Sequence, residues 1–151
     1  RAEEAPPPKA EEPQALQEFN ASLVRVNEKS PFGWAIDMLN PGALYIESLG
    51  SYASTAADRY NESAPAGEDI RPGDYITRVN GASGSAQQLG ELLTASSQPQ
   101  VTIQRPSAYV ASLSKGDKPL GVDLNFTTKG RSLYIVGVRE GAVREQAPEV
   151  S

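Results

Sequence analysis

Pro31-Phe32-Gly33-Trp34-Ala35-Ile36-Asp37-Met38 opens on a turn and passes into alternation, with Trp34, Ile36 and Met38 on one side of the chain. That is the pattern of a half-buried strand. The octet returns as Pro119-Leu120-Gly121-Val122-Asp123-Leu124-Asn125-Phe126, again proline, apolar, glycine, apolar, then alternation with an acidic or amide residue in seventh place. A second match comes after each octet: Leu44-Tyr45-Ile46, then Leu133-Tyr134-Ile135. The step is 88 residues from Pro31 to Pro119 and 89 from Leu44 to Leu133, so nearly one spacing serves both matches. The chain carries a partial internal repeat.

Working outward, Phe19, Ala21 and Leu23 alternate and Val24 and Val26 come next, which predicts a strand of about eight residues. Asn40-Pro41-Gly42 is a turn, and Ala43 to Leu49 reads as the strand after it. Ser51 to Tyr60 is alanine-rich and predicts a short helix with Ser51 as N-cap. Arg71-Pro72-Gly73-Asp74 turns into a strand holding Tyr75, Ile76 and Val79, closed by the hairpin dipeptide Asn80-Gly81. Leu89, Leu92 and Leu93 stand at helical spacing behind Ser85, with Gln88 placed to complete a capping box. Val101 and Ile103 alternate on a last strand ending at Arg105-Pro106. The order β-β-β-α-β-α-β over 17–106 is that of a small α+β domain.

Residues 107–151 hold the second copy. Ala108 to Leu113 is the expected counterpart of the first strand, with two more strands and the start of a helix after it. Nothing in it corresponds to the turn and strand of 71–81 or to the helix around Leu89. Residues 1–16 form a separate extension, in which Pro6, Pro7, Pro8 and Pro13 stand among Glu3, Glu4, Glu11 and Glu12. Such a segment is solvated and polyproline-like, or is held by a docking surface.

Composition removes many functions. The net charge is −5 with a pI near 4.8, and no basic stripe for nucleic acid is visible. The chain has no cysteine and no histidine. Disulfides, thiolate metal sites, cysteine nucleophiles and histidine general bases are therefore excluded within it. Gly81 to Ala86 lacks the Lys-Ser/Thr ending of a phosphate loop, and the acidic residues from Asp58 to Asp69 lack calcium-loop spacing, so no cofactor is expected. Asn20, Asn61 and Asn125 head glycosylation sequons, two of them in expected strands. No apolar run approaches the roughly 18–20 residues of a membrane span. The start at Arg1 is compatible with a processed organellar protein or with part of a longer one.

Three stretches together, in order and spacing, resemble the PDZ domain. They are the loop Pro31-Phe32-Gly33-Trp34 with its repeat Pro119-Leu120-Gly121-Val122, the run from Ile70 to Gly81, and Ser85 to Leu93 with Val101-Thr102-Ile103 after it. The resemblance implies a PDZ-like partly open β-barrel or sandwich capped by two helices over 17–106, and the front half of another over 107–151. It also implies capture of a peptide's C-terminal carboxylate by the backbone N–H groups of Phe32, Gly33 and Trp34, with the peptide adding as a strand beside Trp34 to Met38. Ile36, Met38, Leu89, Gly90 and Leu93 would line the groove. A side chain at Gly33 is expected to block the anion and leave the fold largely intact. Proline replaces the family's first glycine without removing a donor. Ala86 stands where many members place a histidine, and Gly90 where an apolar residue is usual, so an apolar-ended peptide bound weakly is the expectation.

The function expected first is a non-enzymatic interaction module or scaffold that binds protein partners. The alternatives are an accessory subunit fixed in a large assembly, an organellar membrane complex among them, with a vestigial groove, and the regulatory PDZ part of a protease. Leu124, Phe126 and Ile135 lack a covering helix in the half repeat and are expected to meet a partner outside the first domain.

Overall fold

The structure is a computed structural model and describes residues 17–50, 54–108, 110–130 and 132–147. The extension at 1–16 and the expected N-cap Ser51 lie outside these residues. Two compact units are present, one of residues 17–106, with which 127–130 group, and one built on 107–126 and 132–147.

The first unit runs β1 (Gln17–Ser22), β2 (Trp34–Asp37), β3 (Leu44–Leu49), α1 (Ala56–Glu62), β4 (Tyr75–Val79), α2 (Ala86–Thr94) and β5 (Gln100–Arg105). It is a small α+β fold whose five strands form one antiparallel sheet in the order β1-β5-β4-β3-β2. Alternation works as expected: Phe19 and Ala21 turn inward opposite Ile103 and Val101. Leu44, Ile46, Ile76 and Val79 meet the inner face of α2 in the same core. Each such side chain contributes about 1.5–3 kcal/mol on burial. The first strand is shorter than expected, but Leu23 and Arg25 go on donating backbone N–H bonds to Pro99 (2.9 Å) and Ser97 (2.8 Å).

Turn chemistry sets the joints. Asn80 and Gly81 both have positive φ, 53° and 80°, as the expected hairpin dipeptide requires. Asp74 ends the Pro-Gly-Asp turn buried, accepting from the Arg71 N–H (2.8 Å) and from Arg105 Nε (2.8 Å) and Nη2 (2.9 Å). A bidentate, desolvated pair of this kind staples the last strand to the turn before β4. The α2 capping box is present: the Gln88 N–H donates to Ser85 Oγ (3.1 Å) and the Ser85 N–H to Gln88 Oε1 (2.9 Å). α1 begins later than the alanine run indicates. Ser54 sits at φ 71°, which no helix accepts, and Thr55 is the cap, its Oγ1 taking the Asp58 N–H at 3.3 Å. The amide of Asn61 exchanges two 2.8 Å hydrogen bonds with the Ile70 backbone, so that sequon is occupied structurally.

The second unit holds β6 (Val122–Asn125), β7 (Tyr134–Val138) and α3 (Ala142–Gln146). β6 and β7 form a two-stranded antiparallel sheet. The strand expected at 108–113 does not form at the described positions 108 and 110–113. Its counterpart β1 is held by β5, and among the described residues the second unit has no equivalent of β5 to pair with.

What the second unit does have repeats the first closely. Trp34↔Leu49, Ala35↔Ser48, Ile36↔Ile46 and Asp37↔Tyr45 reappear as Val122↔Val138, Asp123↔Gly137, Leu124↔Ile135 and Asn125↔Tyr134. The register shift falls at the same step, between Ala35 and Ile36 and between Asp123 and Leu124. The turn glycines match too, Gly33 at φ 97° and Gly121 at φ 79°. The Phe32 carbonyl accepts from the α1 residue Ala57 (2.9 Å), as the Leu120 carbonyl does from Val143 of α3 (3.1 Å). The Gly33 carbonyl accepts from Gly50 (2.8 Å), as that of Gly121 does from Arg139 (2.6 Å).

Candidate functional site

β2 is an edge strand, with β3 as its only neighbour among the described residues. All described peptide bonds are trans, so each N–H points opposite to the carbonyl of its own peptide plane. The Gly33 carbonyl is turned to Gly50, just beyond β3, so the Trp34 N–H faces the open edge. The Phe32 carbonyl is turned to α1, so the Gly33 N–H faces away from that helix. Among the described residues no backbone group accepts from the N–H of Phe32 or Gly33. Among the described residues, the loop thus keeps the N–H donors of Phe32 and Gly33 off backbone acceptors.

Phe32 and Trp34 are half-buried and stacked, with ring centroids 5.2 Å apart and planes 15° from parallel. Ile36 is half-buried against the core. Met38 is exposed beyond the end of β2, and its Cε lies 4.0 Å from where a side chain on Gly90 would begin. Met38 and Gly90 share a cleft of about 460 Å³ with Gln87, Glu91, Thr94 and Ala95. Leu89 and Leu93 do not line this cleft. They are buried in the core and hold α2 down from beneath. The leucine spacing identifies an apolar helix edge correctly, but that edge faces the core and not the groove expected of it.

A second correction concerns Gly33. A Cβ there would lie 2.2 Å from Thr55 Oγ1 and 2.6 Å from Thr55 Cβ, in a backbone conformation that disfavours side chains. Thr55 caps α1, so a valine at 33 disturbs the fold as well as the loop. Leu124, Phe126 and Ile135 lie in the second unit and remain partly or largely exposed.

Arg25 is a residue that the sequence motifs do not single out. It is buried, and its guanidinium carbon sits 4.3 Å from the centroid of the Phe32 ring. Nη1 donates to the carbonyls of Glu28 (2.7 Å) and Ser30 (3.3 Å), and Nη2 to those of Leu93 (3.3 Å), Thr94 (2.9 Å) and Ser96 (2.6 Å). Among the described residues Nε has no acceptor. One side chain therefore ties the loop before Phe32 to the end of α2, where a cation also meets the negative end of the helix. A signal for it exists: Arg25 continues the inward alternation of Ala21 and Leu23. Lys29, the lysine beside the loop, has its backbone N–H on Asn27 Oδ1 at 2.8 Å.

No helix among the described residues is long and apolar enough to cross a membrane. No protein-family model matches the chain, and no curated protein matches it.

Proposed function

We propose that residues 17–106 are a PDZ-like, non-enzymatic recognition module that takes a partner's C-terminal segment as an added strand along β2. The observation that carries this reading is the edge position of β2 beside a loop whose Trp34 N–H faces outward. An extended peptide laid there continues the sheet, and its terminal carboxylate meets the donors of Phe32, Gly33 and Trp34. Charge-assisted bonds of this type contribute about 1.5–3 kcal/mol each. The Met38–Gly90 cleft receives an apolar side chain from further up the peptide. Its openness and the absence of a side chain at 90 keep affinity modest, with a dissociation constant no tighter than about a micromolar, near −8 kcal/mol.

The test is titration of the chain with apolar-ended peptides and with the same peptides amidated at the C-terminus. Amidation removes the anion and should abolish binding. Equal affinity for both forms rejects carboxylate capture and leaves edge pairing alone.

The second reading, an accessory subunit held in an assembly by other surfaces, is favoured by the exposed apolar residues of β6 and β7. It expects no saturable binding to any free peptide terminus.

A further inference from the structure

Leu133-Tyr134-Ile135 is identical in sequence to Leu44-Tyr45-Ile46 and stands in the same hairpin frame, yet the two triplets have different surroundings. Leu44 and Ile46 are 1% and 0% exposed, whereas Leu133 and Ile135 are 63% and 39% exposed. In the first unit the triplet is covered by elements later in the chain. β4 pairs alongside, with Ile76 opposite Leu44 and Tyr75 opposite Tyr45, and α2 with Leu89 closes over the same core. In the second unit β7 pairs only with β6 among the described residues, and α3 is five residues long. A two-stranded sheet with one apolar face is marginal in water and offers an open edge for pairing.

We propose that the outer edge of β7 and the apolar face of Leu124, Leu133 and Ile135 form a docking surface for one kind of occupant. That occupant is a polypeptide segment with the chemistry of residues 70–105. It has a Gly-Asp turn, an antiparallel strand presenting an aliphatic residue to Leu133 and an aromatic to Tyr134, and an amphipathic helix that covers Ile135. The two hairpins present matched surfaces. The triplet, the register shift and the turn bonds are the same in both, so what fits β3 fits β7. The surface uses none of the residues of the β2 edge, and the proposal does not rest on peptide capture there.

The experiment uses the full chain extended past Ser151, through a flexible Gly-Ser linker, by a second copy of the 68–106 sequence. A linker of this type keeps the added segment at a high local concentration without imposing a geometry. Amide hydrogen exchange of Tyr134–Val138 is measured by NMR, with β5 as internal reference for the first unit. The expected result is that these amides slow by about a hundredfold relative to the unextended chain. An Ile76→Asp change confined to the added copy should cancel the effect. Unchanged exchange at 134–138, with β5 still protected, overturns the proposal. So does slowing that survives the aspartate. Strong protection of β7 in the unextended chain also overturns it: if it grows with protein concentration, a second copy is the occupant, and if it is present at high dilution, the chain covers this face itself.

Discussion

Replacing Arg25 by methionine keeps an unbranched side chain of similar reach and removes the guanidinium. Five carbonyls lose a donor, those of Glu28 and Ser30 before the loop and those of Leu93, Thr94 and Ser96 at the end of α2. At about 1.5–3 kcal/mol for each charge-assisted bond, the gross loss would be roughly 7–15 kcal/mol, as much as a whole domain's stability. Three corrections reduce it. Two of the bonds are long, at 3.3 Å. Most of the carbonyls are only part-buried and can turn to water. The buried cation, with no acceptor on Nε, carries its own desolvation penalty, which methionine relieves. The net expectation is a loss of about 3 kcal/mol. Urea unfolding monitored by tryptophan emission is the assay, since Trp34 is the sole tryptophan and stacks on the ring beneath Arg25. Arg25→Lys keeps the charge, but one ammonium cannot serve both sets of carbonyls, so it should lose about half as much. If the methionine variant unfolds within about 0.5 kcal/mol of the parent, the guanidinium does not hold loop and helix together, and the reasoning fails.

Gly33→Ala puts a Cβ against Thr55 at positive φ and should cost about 1–3 kcal/mol in urea unfolding; a neutral outcome would mean that Thr55 and the cap of α1 can move freely. Gly90→Ala should do the reverse, adding up to about 1 kcal/mol through helix propensity while its methyl narrows the cleft at Met38 and weakens peptide binding; tighter binding would place the ligand elsewhere. Burial first, then the charges of Glu68 and Asp69, pushes the Tyr60 phenol above its ordinary value near 10. A raised value means that the folded state holds the proton more tightly, so this stability is complete below the ordinary value and is lost as pH rises through the folded one. Alkaline melting curves of the parent should therefore fall more steeply than those of Tyr60→Phe, and parallel curves would refute the assignment.

How far the fold can be read depends on how local each determinant is. α2 is legible because Ser85, Gln88 and the leucine spacing lie within one helix. The Asn80-Gly81 hairpin is legible because two residues carry it. The repeat, too, is visible as sequence, and the shared register shift is its structural counterpart. Arg25 escapes notice since its partners lie up to 71 residues away and a charge in a strand reads as solvent-facing by default. The missing strand at 108–113 fails for a related reason: alternation describes a strand's faces but not whether a neighbour exists to bond it. Leu89 and Leu93 show a third limit, for an apolar helix edge looks the same whether it floors a core or walls a groove.

The β1–β5 pairing has a mechanical consequence. Gln17 lies opposite Arg105, so the stretch 17–105 begins and ends at one spot, on adjacent antiparallel strands. Tension applied through the flanking segments pulls those two ends straight apart. The ladder then opens like a zipper, one bonded pair after another from Gln17↔Arg105 to Ser22↔Gln100, instead of resisting in shear with all its bonds at once. The unit is built to yield at low force from that end, and the hydrogen bond from Gln17 Nε2 to the Gly67 carbonyl (2.7 Å) is a tether outside the ladder that such a pull breaks at its start.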